Sequence, residues 1–242
     1  MNYYFISGTS RGIGYALAME LLNDSNNYVV GIGRSNFISH SRYEHLFLDL
    51  SDLTNIDSFN FMDLSNASQI CLINNAGMLG DVKYVGGVNN SDTVALYNLN
   101  LIAPSLLINK FVRKYEHLNV EKVILNVSSG AAQHPIDGWA AYCASKAALD
   151  MFSRVVAEEQ QRSLVNGSPN YYIFSVRPGK VDTTMQDEIR QGEVRYFSRL
   201  DDFKRFKNQN ELIPPEEVAS KYVHLLNNVG SFSDVVFSIS DY

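Results

Sequence analysis

The stretch Tyr3-Tyr4-Phe5-Ile6-Ser7-Gly8-Thr9-Ser10-Arg11-Gly12-Ile13-Gly14-Tyr15-Ala16-Leu17 decides the fold. An apolar, β-rich run (Tyr3–Ile6) passes directly into a glycine turn, and from Tyr15 to Leu22 apolar residues recur with helical period. In that context small residues let the backbone approach a pyrophosphate, and the helix N-terminus favours its charge. Gly8, Ser10, Arg11, Gly12, Ile13 and Gly14 are therefore expected to hold the phosphates of a dinucleotide. The spacing Gly-x3-Gly-x-Gly departs from the commoner fingerprint, and alone it also fits a plain tight turn.

Outward from this unit the same alternation continues. Tyr28–Ile32, Glu44–Leu48, Gln69–Ile73, Lys122–Asn126, Tyr171–Val176 and Val235–Ile239 read as strands. Thr93–Lys114, Ala141–Glu159 and Pro215–Leu226 read as helices, the last opening on Pro-Pro-Glu-Glu as helix starts often do. Strands separated by helices of this length predict a parallel sheet. The expected fold is α/β: a single-domain, Rossmann-type doubly wound parallel sheet flanked by helices and spanning residues 1–242. One long stretch, Thr183 to Ile213, reads as irregular and carries Tyr196, Phe197, Phe203 and Phe206. Loops of that length inside compact domains are usually functional lids or partly disordered, so about 183–213 is the expected substrate loop.

Composition narrows the classes. A chain of 242 residues, 45% hydrophobic, can bury a sizeable core. A formal charge of -6 opposes a nucleic-acid surface, which needs a basic patch. Two cysteines, Cys71 and Cys143, give neither a disulfide framework nor a metal cluster, in keeping with a reducing compartment. The first apolar run enters the glycine turn without a signal-peptide pattern, and no run approaches the roughly 20 apolar residues that span a bilayer. A soluble, cytoplasmic protein without membrane, nucleic-acid or metal partner is expected.

Arg34 stands twenty residues after Gly14, at the end of the second strand. A fold selective for NAD would have an acidic residue there for the ribose 2′-hydroxyl, whereas arginine suits a 2′-phosphate. Arg11 offers a second guanidinium, and such groups pair phosphate oxygens bidentately, so the expected cofactor is NADP(H). Asp49, with Leu50 after the third strand, reads either as a partner of the adenine amino group or as a cap with Ser51. Asn74-Asn75-Ala76-Gly77 ends the fourth strand, where open α/β sheets place ligands, so Asn75, Ala76 and Gly77 join the cofactor candidates.

The next strand ends in Asn126-Val127-Ser128-Ser129. Thirteen residues after Ser129, a helix carries Tyr142-Cys143-Ala144-Ser145-Lys146. Tyr142 and Lys146, four apart, share one helical face. A nearby ammonium stabilises a phenolate, which equips a tyrosine for acid–base work near neutrality.

At this point the sequence resembles the short-chain dehydrogenase/reductase family over essentially its whole length. The glycine turn, Asn74–Gly77, Asn100, Ser129, Tyr142, Lys146 and Pro178-Gly179-x-Val181-x-Thr183 occur in the family's order and approximate spacing. The resemblance implies that Ser129 polarises a substrate carbonyl and Tyr142 donates the proton. Lys146 would bind the nicotinamide ribose and lower the tyrosine pKa, and Asn100 would complete a water-linked proton relay. Pro178, Gly179, Val181 and Thr183 would line the cofactor. Asn98 competes with Asn100, and Ser128 with Ser129; the interval to Tyr142 favours Ser129. A homodimer or homotetramer, packed through the helices around Asn100–Lys114 and Tyr142–Gln160, is implied as well.

Within the family, Gly138-Trp139-Ala140-Ala141-Tyr142-Cys143, Lys146-Ala147-Ala148, Asp150-Met151 and Asp182-Thr183-Thr184-Met185-Gln186 resemble the sepiapterin reductase and benzil reductase subgroup. Trp139 then walls the substrate pocket or simply packs in the core, and Met185 belongs to the entry of the substrate loop. Laid on the sepiapterin reductase tail, Ser238 falls where that enzyme has a pterin-gripping aspartate, with Asp234 and Asp241 flanking. The expected activity is NADPH-dependent reduction of a small ketone or vicinal dicarbonyl. Sepiapterin reduction is the alternative, and a cofactor-binding sensor without turnover is the alternative of another class.

Overall fold

The computed structural model describes residues 1–164 and 171–242. Its strands are β1 (Asn2–Ser7), β2 (Asn27–Gly33), β3 (Tyr43–Phe47), β4 (Gln69–Asn74), β5 (Glu121–Val127), β6 (Tyr171–Arg177) and β7 (Val236–Ser238). They form one seven-stranded sheet in the order β3-β2-β1-β4-β5-β6-β7, each neighbour parallel. Helices α1 (Gly12–Leu22), α2 (Leu53–Ser58), α3 (Asn90–Tyr97), α4 (Ala103–Tyr115), α5 (Ala140–Leu164), α6 (Thr184–Arg190), α7 (Leu200–Asn208) and α8 (Pro215–Asn227) complete it.

A parallel sheet covered on both faces needs strands that are apolar on both faces, and β1 shows how. Tyr4 and Ile6 point to a core shared with Leu17 and Leu21 of α1 and with Tyr222 and Leu225 of α8. Phe5 points the other way, onto Phe111 and Tyr115 of α4. Fully burying one such side chain contributes about 1.5–3 kcal/mol, so the two cores fix the layers. Strand order reverses between β1 and β4, which opens a crevice at their carboxyl ends, the place where doubly wound sheets bind ligands.

Two expectations from the sequence need correction. Residues 183–213 are not irregular: they hold α6, a 3-10 turn at Val194–Tyr196, and α7. Leu200, Phe203 and Phe206 recur at helical spacing and are buried, but the many charges on the opposite face of α7 mask the period. The helix expected over Thr93–Lys114 is α3 and α4 joined by a π turn at Asn98–Ile102. The short helix α2, capped by Asp52, lies in a stretch the sequence reading leaves blank.

Candidate active site

The dinucleotide end is built on the turn after β1. Ser7 accepts hydrogen bonds from the backbone N–H groups of Asn75 and Ala76, each at 3.0 Å. The Asn75 amide returns two, to the carbonyls of Ser7 and Gly8, also at 3.0 Å. A side chain on Gly14 would come within 2.3 Å of Asn75 Nδ2 and the Gly8 carbonyl oxygen, so glycine is required where α1 passes this knot. Asn74 faces the other way and bonds Asn126 of β5 at 2.8 Å. The N-termini of α2 and α3 are capped by Asp52 and Asn89, whereas no side chain caps α1. An uncapped helix start opening on the crevice leaves N–H donors for an anion.

Arg34 and Arg11 stand at this end, both exposed. Arg34 Nη1 lies 3.8 Å from Asp49, and Arg11 Nη2 lies 3.7 Å from Glu188 of α6. Asp49 accepts from the Ser51 N–H and hydroxyl at 2.9 and 2.7 Å, and the hydroxyl, more than Arg34, holds its carboxyl below the ordinary value. The helix-cap reading of Asp49 is corrected, because Asp52 caps α2; Asp49 holds Ser51 ahead of the helix and lines the cavity. The glycine turn and the uncapped helix start fit the phosphates of a dinucleotide.

A single cavity of about 1080 Å³ runs from Arg34 and Asp49 to Trp139 and Met185. It is lined by every candidate residue expected from the sequence except two, Gly14 and Asn100, which sit behind its wall. Gly14 supports the turn from beneath. Asn100, 1% exposed, accepts from Met78 N–H at 2.9 Å and donates to Met78 carbonyl at 2.8 Å and to Ser145 at 3.3 Å. The competing Asn98 turns away and donates to the Ser51 carbonyl.

At the catalytic end, α5 presents Tyr142 and Lys146 one turn apart, 6% and 5% exposed. Lys146 Nζ donates to the Val127 carbonyl at the end of β5 (2.8 Å) and lies 5.9 Å from the Tyr142 ring. Burial lowers the lysine pKa to about 8, partly opposed by Asp150 one turn on. Burial raises the tyrosine pKa, and the Ser129 hydroxyl pulls it back down. Ser129, not Ser128, is thus the serine coupled to the phenol; Ser129 also accepts from Ala131 N–H at 3.2 Å.

The far wall is aromatic. Trp139 stacks on Phe197 at 5.2 Å and meets Tyr142 and Phe203 edge-on at 5.7 and 5.5 Å. Met185 brings its sulfur 3.9 Å from the Tyr142 hydroxyl. Of the two readings of Trp139, core packing and pocket wall, the structure supports both at once. Ser238 and Asp241 both line the cavity. The Ser238 hydroxyl pairs with Ser240 at 2.7 Å, and Asp241 accepts from the Ser238 N–H at 3.1 Å.

Sequence reasoning missed Ser7 and the pair Asp150–Arg177. Arg177 Nη2 meets Asp150 at 3.3 Å, and Ser175 donates to the same carboxylate at 2.7 Å. With its amide oxygen turned toward the guanidinium, Gln133 accepts from both Nη atoms at 3.0 and 3.1 Å. The available signal was a charged residue ending a strand buried on both faces, with an acid four residues after Lys146.

Among the described residues no group of three His, Cys, Asp or Glu side chains is placed to hold a metal ion, and no helix is long and apolar enough to cross a membrane. Both cysteines are free.

A doubly wound sheet with a glycine turn at its switch point, and a serine, tyrosine and lysine meeting in the adjoining cavity, define an oxidoreductase acting on a CH–OH or C=O group with a nicotinamide cofactor. The chain belongs to the short-chain dehydrogenase family, whose model matches residues 2–194. It is 35% identical to a benzil reductase ((S)-benzoin forming) of Bacillus cereus, over 93% of this chain and 94% of that protein. It is 29% identical to the sepiapterin reductase of Rattus norvegicus, over 91% and 89%. The crystal structure of the KRED1-Pglu enzyme superposes with a TM-score of 0.78 at 26% identity, covering 94% of this chain and 95% of that one.

Proposed function

We propose that the protein is an NADPH-dependent carbonyl reductase for small ketones and, above all, vicinal dicarbonyls flanked by apolar groups. The observation that carries this is the sharing of one cavity by Ser129, Tyr142 and Lys146 at one end and Arg11 and Arg34 at the other. When bound, the reduced nicotinamide supplies the hydride. The Ser129 hydroxyl hydrogen-bonds the carbonyl oxygen, and Tyr142 passes its proton to that oxygen as charge develops. Lys146, anchored on Val127, sets an ammonium beside the phenol and favours its ionised form. Pro178, Gly179, Val181 and Thr183 border the cofactor, and residues 183–213 form the substrate lid. A homodimer or homotetramer in the cytoplasm completes the reading.

NADPH is expected to outperform NADH by at least about tenfold, since a charge-assisted hydrogen bond contributes roughly 1.5–3 kcal/mol. Titration of both cofactors by fluorescence measures this directly. Arg34→Ala should weaken NADPH alone, and equal affinities for the two in the unaltered protein would refute the assignment.

The substrate preference is a separate matter. Ser238 is a neutral hydroxyl already occupied by Ser240, and it satisfies fewer pterin N–H donors than a carboxylate, each left unpaired costing roughly 1–3 kcal/mol. A diketone has no such donors, and its apolar flanks match Trp139 and Phe203, which line the cavity. Benzil and a small aliphatic diketone are therefore expected to exceed sepiapterin in kcat/KM. The sepiapterin reading has one observation in its favour, the carboxylate of Asp241 on the same cavity. A tenfold advantage for sepiapterin, abolished by Asp241→Asn, would establish it instead.

A further inference from the structure

Immediately before the catalytic helix, three consecutive residues meet three consecutive residues of the 183–213 segment. Asp137 accepts from the Ser198 hydroxyl through Oδ1 and from the Ser198 N–H through Oδ2, both at 2.8 Å. Gly138 adopts φ 78°, and a side chain there would meet the Tyr196 carbonyl oxygen at 2.3 Å, so the segment lies directly on this backbone. Trp139 carries Phe197. A third segment closes the contact from outside. Lys83 N–H donates to the Gly138 carbonyl at 3.2 Å, and the Tyr84 hydroxyl donates to Asp137 Oδ2, also at 3.2 Å. The Tyr84 ring packs edge-on against Tyr196 at 5.8 Å.

We propose that Asp137 is a positioning residue that latches residues 196–198 to the loop leading into the catalytic helix, and so, through Phe197 packed behind them, sets the grip of Trp139 and Phe203 on apolar-flanked substrates. The inference rests on the carbonyl reductase reading for its substrate, but the latch itself is readable without turnover. Burial alone would raise the Asp137 pKa; the Ser198 N–H and hydroxyl and the Tyr84 hydroxyl outweigh it and hold the group below the ordinary carboxylate value. Asp137 is thus ionised at neutrality and accepts all three bonds as a charged acceptor. It touches neither the phenol nor the dinucleotide end, so its loss should loosen the aromatic wall while the chemistry stays in place. Asp137 lies three residues before Ala140, where α5 begins, so the latch stands outside the helix that presents Tyr142.

Trp139 is the only tryptophan of the chain, so intrinsic fluorescence reports this wall with no label. Asp137→Ala should shift Trp139 emission to the red and raise its quenching by acrylamide. The KM for benzil should rise about three- to tenfold, the factor that one or two net hydrogen bonds carry. NADPH affinity, and kcat with a small aliphatic diketone, should stay near their original values. Ser198→Ala removes one of the two bonds and should give a smaller change in the same direction, and far-UV circular dichroism checks that both variants are folded. Unchanged Trp139 emission and quenching in both folded variants would overturn the latch. So would a parallel loss of kcat on every substrate together with NADPH affinity, which marks a general structural role. If the unaltered protein turns over no carbonyl at all, the reductase reading fails, and the fluorescence of the two variants still decides for or against the latch.

Discussion

Replacing Tyr142 by phenylalanine is expected to lower turnover by roughly 10²–10⁴-fold, the usual share of general acid–base catalysis, while NADPH binding and thermal stability stay nearly unchanged. The separation follows from what the hydroxyl touches. Its protein partners are the Ser129 hydroxyl and, at 3.9 Å, the weakly accepting sulfur of Met185, so no buried backbone group loses a bond. The ring remains against Trp139, and its shape is conserved. Only the transferable proton is removed. Lys146→Ala should behave differently, with both affinity and rate falling, because the ammonium bonds the Val127 carbonyl at the rim of the cofactor groove and also stands beside the phenol. Single-turnover kinetics with NADPH, and melting curves for both variants, test the distinction. A Tyr142→Phe protein that retained most of its activity would move the proton donor elsewhere.

The contrast between these two side chains shows why the site was largely legible in the sequence. Tyr142 and Lys146 owe their proximity to one helical turn, and the glycine turn to its place between β1 and α1. Both are local relations that spacing encodes. The parallel pairing of β1 with β2 and of β4 with β5 follows from the same local βαβ units, whereas β2 passes to β3 without a helix and β1 meets β4 only at the switch point. What spacing does not encode is the meeting of distant segments. Ser7 bonds Asn75 across 68 positions, and Arg177 pairs with Asp150 across 27, because β1 lies next to β4, and β6 packs beneath α5. Ser198 reaches Asp137 only through the path of α6 and the turn after it. In α7 the helical period was present at Leu200, Phe203 and Phe206, but charge on the outer face suggested a loop. Amphipathic surface helices are easily misread in this way when the apolar stripe is narrow.

Asn100 supplies the other large expected effect, and it concerns stability as much as rate. The π turn at Asn98–Ile102 inserts an extra residue between α3 and α4, a device often found at functional sites, and it buries the Asn100 side chain at 1% exposure. There the amide spans the N–H and the carbonyl of Met78, at 2.9 and 2.8 Å, and so pins the loop that follows β4. Its oxygen stands 3.4 Å from where a side chain on Gly77 would begin, and Lys146 Nζ stands 3.6 Å from the same point. Pinning the loop therefore also fixes the floor beside the lysine. Asn100→Ala leaves both Met78 groups facing a small void, while the Ser145 hydroxyl keeps its bond to the Tyr142 carbonyl. Each buried group stripped of its partner costs about 1–3 kcal/mol, so a loss of about 2–6 kcal/mol is expected. Against a typical total of roughly 5–15 kcal/mol that is a large fraction. For a chain of this size each kcal/mol lowers Tm by about 2–4 °C, so the shift is easily measured by differential scanning fluorimetry. Asn100→Asp keeps the acceptor for Met78 N–H but sets a carboxylate oxygen against the Met78 carbonyl in a buried site, and should lose at least as much stability as Asn100→Ala. The fall in kcat/KM should follow the same order, because the loop that loses its anchor carries Gly77 beneath Lys146. A melting temperature for Asn100→Ala equal to that of the unaltered protein would show that water or a backbone shift replaces the amide, and that the π turn holds its shape without it.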